Sequence, residues 1–505
     1  MIAQNLSLAK LEDVVGAAEE LSAFVHHAAQ QGRPTHEVER EIFRRVLAIG
    51  RRALGQFFTS QGAGDVGPTV TLPEGSTLRR LPSTHSREYV SIFGPFSLER
   101  TVYGTREGQK IELAPLDARL ALPESKFSYV LQDWDQRLAT EQPYAQVSQV
   151  LEAILGLRQH VDNLERMSRH LARDAETFAW SYAAPPAAEE GELLVESADG
   201  KGVPIRRPAD APPIQDHQHQ RGPKPDRKRM ATLGAVYSVD RFVRTPAEVV
   251  EALFHDPQAP APSRPRPRPQ HKRVYAHLTC ENAEGETIDG PAAVFGWLDQ
   301  EVRQRRTSPQ QPVISLMDGQ ESLWETKAVF QDDFPTVDVL DLLHVTPRLW
   351  QAAHLFHRAG SPAAEAFVRE RVRKILEGGV LGVVRGLRSL ATRRGLAHAK
   401  RQTLETICGY LEKNHTRMRY DEYLKQGYPI ASGVIEGACR HVVKDRLERT
   451  GMSWTKTGAQ ALLHLRAIAV SDHWQDFFVF RIQRETDRLY PYRQTLNETQ
   501  WATAP

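Results

Sequence analysis

The sequence predicts an α/β core built on a mixed sheet, interrupted by an all-helical insertion and preceded by a mainly helical N-terminal region. Three observations carry that prediction. Short apolar runs of strand character recur between residues 191 and 346, with helical segments among them. Within an insertion over 347–430, residues 347–414 read as helical throughout. Three widely spaced acidic stretches each hold a carboxylate where a strand or helix would present it: Leu193-Leu194-Val195-Glu196-Ser197-Ala198-Asp199-Gly200, Val313-Ile314-Ser315-Leu316-Met317-Asp318-Gly319 and Ser432-Gly433-Val434-Ile435-Glu436.

Residues 1–60 predict two helices, the second marked by Val38, Ile42, Val46, Ile49, Ala53 and Phe57 after Pro34-Thr35. A connector rich in Gly, Pro and Thr runs to Leu81, and the region 82–112 holds a β-hairpin turning at Gly94-Pro95. Residues 113–182 carry three apolar stripes at helical spacing, beginning at Phe127, Val147 and Val161. The tight turn Gly156 to His160 between the second and third fits a helix-turn-helix module. Its last helix would present Arg158, Gln159, Asn163, Arg166, Arg169 and His170 to a major groove. An ordinary three-helix bundle with a solvated basic face accounts for the same pattern.

After an Ala/Pro/Glu linker, the segment 191–346 predicts the strand carrying Asp199, then strands over 231–239 and 274–279. A helix over 292–305, the strand ending at Asp318, a helix and a short strand over 337–340 follow. Three strands, helix, strand, helix, strand is the element order of an RNase H-like mixed sheet, in which the first and fourth strands carry acidic residues side by side. Two Pro-rich basic stretches, 206–229 and 257–273, predict surface loops, either tracking a DNA backbone or passively inserted. The helical insertion 347–430 separates the last strand from 431–493, where Ser432 caps a helix that carries Glu436 in its first turn and runs to about Arg449.

An apolar run ending on Asp-Gly is the mark of a buried strand delivering an Asp to its exposed tip, and both Asp199 and Asp318 fit it. Asp-Gly alone is also a common turn, so the weight lies on the conjunction with a helix-borne Glu. Asp318 follows Asp199 by 119 residues and Glu436 follows Asp318 by 118, so only the fold can bring them together. Two Asp and one Glu are what two-metal phosphoryl transfer needs, because hard oxygen ligands suit Mg²⁺ and leave positions for water and phosphate. Arg440 and Lys444 follow Glu436 at four-residue intervals, which suits phosphate steering or an ion-pair ladder. Asp341 follows the shorter run Val337–Leu340, and Leu342-Leu343 continue it, which predicts a position inside an element.

Composition sets the background. A chain of 505 residues with 40% hydrophobic and 25% charged residues predicts two or three globular domains. Its net charge of +2 does not itself announce a nucleic-acid partner. Cys280, Cys408 and Cys439 lack paired spacing, which argues against a zinc knuckle or disulfide framework and for a reducing compartment. No apolar run reaches membrane-spanning length and no basic-then-apolar signal opens the chain, so the expected location is cytoplasmic and nucleoid-associated. Gly62-Ala63-Gly64-Asp65 lacks the Lys of a phosphate loop, and His217 and His219 make no zinc spacing with the acids. Trp454 suits a base stack but more commonly is core.

From about Leu113 to Arg493 the chain resembles the bacterial insertion-sequence transposases of the Kra type, distant relatives of the Mutator-like group. The resemblance rests on Leu113-Ala114-Pro115-Leu116-Asp117-Ala118-Arg119, Ala198-Asp199-Gly200-Lys201-Gly202-Val203-Pro204, Leu316-Met317-Asp318-Gly319-Gln320, Leu340-Asp341-Leu342-Leu343-His344 and Tyr428-Pro429-Ile430-Ala431-Ser432-Gly433-Val434-Ile435-Glu436-Gly437. It implies an Asp/Asp/Glu transposase with an RNase H-like catalytic domain, a helical insertion and an N-terminal DNA-binding region. Asp199, Asp318 and Glu436 match the catalytic, metal-holding acids. Asp341 and His344 match the Cys-or-Asp, x, x, His motif after the second acid, which adds His344 to the expected catalytic set with Asp341 in support. The implied activity is cleavage at terminal inverted repeats and strand transfer, with Mg²⁺ as cofactor and Mn²⁺ able to substitute. The expected partners are double-stranded DNA, both terminal repeats and target, and further copies of the chain in a homo-oligomer; no membrane is involved. Arg158, Asn163, Arg166, Arg169, Lys201, Arg440 and Lys444 are the expected DNA contacts. Two other classes share these features: an RNase H-like nuclease without transposition, and a DNA-binding protein without catalysis.

Overall fold

The computed structural model describes residues 14–105, 111–206, 228–254, 264–281, 285–449 and 451–494. Residues 207–227 of the first Pro-rich basic stretch and 257–263 of the second lie outside the described residues, as do His217 and His219; residues 270–273, read as loop, instead begin a strand of the main sheet. The chain divides into two compact units, Met1–Leu171 with Trp474–Pro505, and Ala172–His473.

In the first unit, helices Val14–Gln30 and Thr35–Gln61 come first. The expected connector after them holds a small antiparallel pair, Thr69–Thr71 with Thr77–Arg80, closed through Gly75 at φ 89°. Strands of three and four residues are too short to stand out by periodicity. The hairpin pairs His85–Ser91 with Gly94–Arg100 and turns at Ile92-Phe93, so Gly94 opens the second strand instead of forming the turn. Helices α1 (Tyr129–Glu141) and α2 (Tyr144–Leu155) follow, then α3 (Val161–Ser181), whose residues from Ala172 on belong to the second unit. Ser128 caps α1 by accepting the Leu131 N–H at 3.1 Å, and Gly156 ends α2 in the left-handed region at φ 68°, which favours glycine. The bundle interior is partly polar: Tyr144 Oη bonds Ser168 Oγ at 2.9 Å, and Ser168 donates to Gln136 Oε1 at 2.6 Å. The helix Trp474–Leu489, grouped by sequence with 431–493, packs in this unit, where Trp474 Nε1 donates to Asp133 Oδ1 at 2.7 Å.

The second unit is mixed α/β. Strands β1 (Leu193–Pro204), β2 (Lys228–Val239), β3 (Gln270–Leu278), β4 (Val313–Met317) and β5 (Val337–Leu340) form one sheet in the order β5-β4-β1-β2-β3. β1, β2 and β3 pair antiparallel, whereas β4 runs parallel to both β1 and β5. The first and fourth strands are thus neighbours. Asp199 was expected at the tip of its strand, but β1 continues five residues beyond it to Pro204. β2 is extended to match, from Ala198↔Gly234 to Pro204↔Lys228, so the ladder carries β1 past the acid.

Both faces of the sheet are covered. Leu194, Ala198, Val236, Val313 and Met317 pack against Val294, Phe295 and Leu298 of helix α4 (Gly290–Arg305). The other face carries two separate cores. Leu193, Val195, Tyr237, Ile314 and Leu316 pack against the insertion, whereas Val203, Ala231, Leu233 and Ala235 pack against the C-terminal helices. The insertion includes α5 (Leu342–Phe356) and α6 (His398–Lys413); α5 starts before the boundary drawn at 347 and absorbs Pro347. Glu436 lies on α7 (Gly433–Ala438), which passes into a π-helical turn at Cys439–Lys444, then Asp445–Leu447. The continuous helix expected to Arg449 is therefore broken in register. Beneath the sheet edge, Arg273 of β3 bonds Glu301 of α4 at 3.0 Å and Arg305 bonds Glu190 at 2.7 Å, all four side chains buried or nearly so. Among the described residues no helix is long and apolar enough to cross a membrane.

Candidate active site

Side chains alternate across a strand, so Val195, Ser197, Asp199, Lys201 and Val203 share one face of β1. Val195 belongs to the insertion core and Val203 to the C-terminal core. Asp199 therefore sits at the seam between two apolar blocks, where the face turns polar. β4 pairs with β1 in the register Ser315↔Glu196, an offset of 119 residues. Asp318 follows Asp199 by the same 119, so continuing the register brings the two carboxylates level on adjacent parallel strands. Gln320 N donates to Asp318 Oδ1 at 2.9 Å, and Trp324 Nε1 bonds the Asp318 carbonyl at 2.7 Å. Asp199 accepts from Gly200 N at 2.7 Å and from the Cys439 thiol at 3.3 Å. Burial chiefly, with the neighbouring Asp199 charge, raises the Asp318 carboxyl above its ordinary value against the pull of the Gln320 N–H.

Glu436 enters the seam from the first turn of α7, which Ser432 caps by accepting the Ile435 N–H. Asp341 does not lie inside an element: it follows the end of β5 and is the N-cap of α5, accepting the Leu343 N–H at 2.8 Å and the Ser432 N–H at 3.3 Å. The apolar Leu342-Leu343 after it belong to a new helix, not to a continued strand. One Asp341 carboxylate thus joins the start of α5 to the approach of α7. His344 stands between them, with Nδ1 3.7 Å from Asp341 Oδ2 and Nε2 3.6 Å from Glu436 Oε1. These are ion-pair separations, longer than hydrogen bonds. Asp341 first, then Asp318 and Asp199, push the imidazole up to about 9 against its burial, so at neutral pH it is a cation among carboxylates.

The predicted acids are gathered at one seam, but not into a closed ligand set. The trio whose ligand atoms all lie within 4.8 Å of one another, among the described residues, is Glu124, His170 and Glu485 in the first unit. The donor chemistry at the seam still fits a hard dication: oxygen donors predominate, and Asp199 and Asp318 repel each other in a partly buried place with His344 as the cation between them and Glu436. Lys201 shares the Asp199 face and is half-buried. Arg440 and Lys444 are exposed, but the π turn breaks their regular spacing from Glu436, and Arg440 pairs with Asp445 at 3.6 Å. Three residues at the site went unnoticed in the sequence. Cys439 is three residues from Glu436 and Arg348 four from His344, both same-face spacings on a helix. Tyr410 offered no local signal.

The expected DNA-contacting residues of the helical module lie in the first unit. Arg158, Arg166 and Arg169 are exposed, and Asn163 is half-buried and accepts from Arg166. Gln159, placed on the exposed face by spacing, is instead buried, its Nε2 donating to Asp135 Oδ2 at 3.1 Å. The turn points it inward to satisfy a buried carboxyl. His170 is partly buried, with Nε2 3.6 Å from Glu485. Trp454 packs on the C-terminal core and bonds the Leu447 carbonyl at 3.0 Å.

No protein-family model matches this chain, and no curated protein does. Among solved structures, the Drosophila P element transposase strand transfer complex is similar over 77% of this chain and 87% of that chain, at 12% identity and a TM-score of 0.23. An overlap of that size does not assign the fold.

Proposed function

We propose that this chain is a DNA transposase with an RNase H-like core, which binds its element's terminal inverted repeats, cuts there and joins the ends to target DNA. What supports this most is that Asp199 on β1 and Asp318 just past the end of the adjacent parallel β4 share one register offset and feel each other's charge, with Glu436 and His344 at the same seam. Asp199 and Asp318 would hold one Mg²⁺, and Glu436 would complete the ligands of a second. Bound there, such ions activate a water or 3′-hydroxyl and stabilise the leaving oxygen.

The chain's own groups do the rest. Asp341 fixes the start of α5 and the approach to α7, so His344 and Glu436 are carried on elements locked to each other. The His344 imidazolium offsets the acids' mutual repulsion. Cys439 donates its thiol proton to Asp199 Oδ2, which orients that carboxylate. Arg158, Arg166 and Arg169 would dock repeat DNA, and Lys201, Arg440 and Lys444 would meet phosphates near the acids. Two element ends must be held together, so the working form is a homo-oligomer.

A metal switch tests the assignment. A thiolate is a softer ligand than a carboxylate and tolerates Mn²⁺ better than Mg²⁺. Asp318→Cys is expected to lose cleavage in Mg²⁺ and recover part of it in Mn²⁺, whereas Asp341→Cys should show no such switch. Recovery at Asp341 but not at Asp318 would reverse the assignment of the second acid.

A further inference from the structure

The insertion reaches the Asp318 turn through one aromatic side chain. A Cβ at position 319 would collide with the Tyr410 ring of α6, so Gly319 leaves room for Tyr410 to lie directly on the Asp-Gly turn. The Tyr410 hydroxyl faces the Gly319 backbone N–H and feels the Asp318 charge. On the ring sits a guanidinium: Arg348 Cζ is 3.7 Å from its centroid. Arg348 is four residues after His344 on α5, so one helix face carries His344 at the acids and Arg348 one turn further along. Among the described residues no carboxylate pairs with Arg348, which bonds the Tyr410 hydroxyl, whereas Arg388, also in the insertion, holds both Glu405 and Glu412.

The guanidinium lies against the ring and also bonds the Tyr410 hydroxyl, which leaves further N–H groups of its five to grip a phosphate. Lys413, near the end of α6, pairs with Glu321 just after the Asp318 turn, which anchors α6 there. Tyr410 also packs against the insertion core, so it is a shelf held by that core.

We propose that Arg348, seated on Tyr410, is a substrate-binding residue that grips a DNA backbone phosphate beside the bond cut at Asp199 and Asp318. The proposal rests on the transposase reading and adds a specific contact to it. Arg348 touches the DNA; Tyr410 acts through Arg348 and is a positioning residue.

The test pairs protein variants with DNA in which single phosphates are made neutral. Full-length protein is given duplexes of the DNA flanking its own gene, each with one methylphosphonate at a successive position around the cut. With wild-type protein one position near the cut should slow single-turnover cleavage by roughly 10- to 100-fold, the loss of a charge-assisted pair of hydrogen bonds. Arg348→Ala should be slower by a similar factor on unmodified DNA and indifferent to the methylphosphonate at that position. Arg348→Gln keeps a polar stem over Tyr410 and should behave likewise, which guards against an effect of misfolding. Tyr410→Phe keeps the shelf and should stay within a few-fold of wild type. The inference is overturned if both Arg348 variants cleave at the wild-type rate, or if both remain as sensitive to every neutral phosphate as the wild type. Absence of cleavage by the wild-type protein itself would instead count against the transposase reading.

Discussion

Asp135 makes the helical module sensitive to pH. Its side chain is fully buried in α1, with Gln159 donating to Oδ2 at 3.1 Å and no partner for Oδ1 among the described residues. Burial raises the carboxyl from 3.8 to about 8. The folded protein therefore binds the proton more tightly than the unfolded chain, where the group titrates near 4. The resulting stability is fully present below about pH 4 and is lost as pH rises through about 8, with a slope of about 1.4 kcal/mol per pH unit between. Over that whole interval the loss is on the order of 5 kcal/mol, comparable with the lower end of a domain's net stability, about 5–15 kcal/mol. Asp135→Asn keeps an acceptor for Gln159 and cannot ionise. Hydrogen exchange in peptides from 129–171, measured in urea at pH 5, 7 and 9, should show wild-type protection falling with pH and the variant nearly level. Parallel declines in the two proteins would refute the buried, protonated Asp135.

Two further changes probe the fold and the DNA surface. Glu301→Ala leaves Arg273, which has Glu301 as its carboxylate partner at 3.0 Å, buried without its counter-charge, and should destabilise the second unit by about 3–5 kcal/mol in denaturant unfolding. A loss under 1 kcal/mol would mean that water reaches the pair. Reversing charge with Arg166→Glu and Arg169→Glu should weaken binding to terminal repeats more than to random duplex, measured by competition at fixed salt. Equal losses on both DNAs would leave the module a phosphate-binding or structural bundle.

Much of the mixed α/β unit is legible in the sequence because its strands are short, apolar and bounded by turn residues. Val313–Met317 and Val337–Leu340 match their runs residue for residue. Asp199 was placed at a strand tip because Gly200 and Gly202 look like punctuation; what extends β1 is its pairing with Lys228–Gly234, and a partner strand leaves no mark on the sequence it pairs with. The π turn at Cys439–Lys444 was hidden for a related reason, since apolar residues at 442, 443 and 447 satisfy α-helical spacing almost as well. Gln159 looked exposed by helical count, and only the buried Asp135 carboxyl across the bundle explains its inward turn. Asp341 was misplaced because a strand and the helix after it are both apolar, with no Gly or Pro between them to mark the change. Tyr410 is the extreme case: it reaches Gly319 from 91 residues away, and nothing local distinguishes it from any other aromatic on a helix.

On the proposed function, Asp199, Asp318 and Glu436 together carry out strand cleavage at the element's ends. The most direct measurement is to incubate the purified protein with duplexes of its own flanking DNA and Mg²⁺, and to map nicks to the nucleotide beside Asp199→Ala, Asp318→Ala and Glu436→Ala. Wild-type protein is expected to nick at the outer boundary of the terminal repeats, and each variant to bind the same duplex with similar affinity while making no nick, because the acids lie at the seam and not on the exposed basic helix face. Nicks that persist in any one variant would remove that residue from the site, and nicks scattered without regard to the repeats would contradict the transposase assignment.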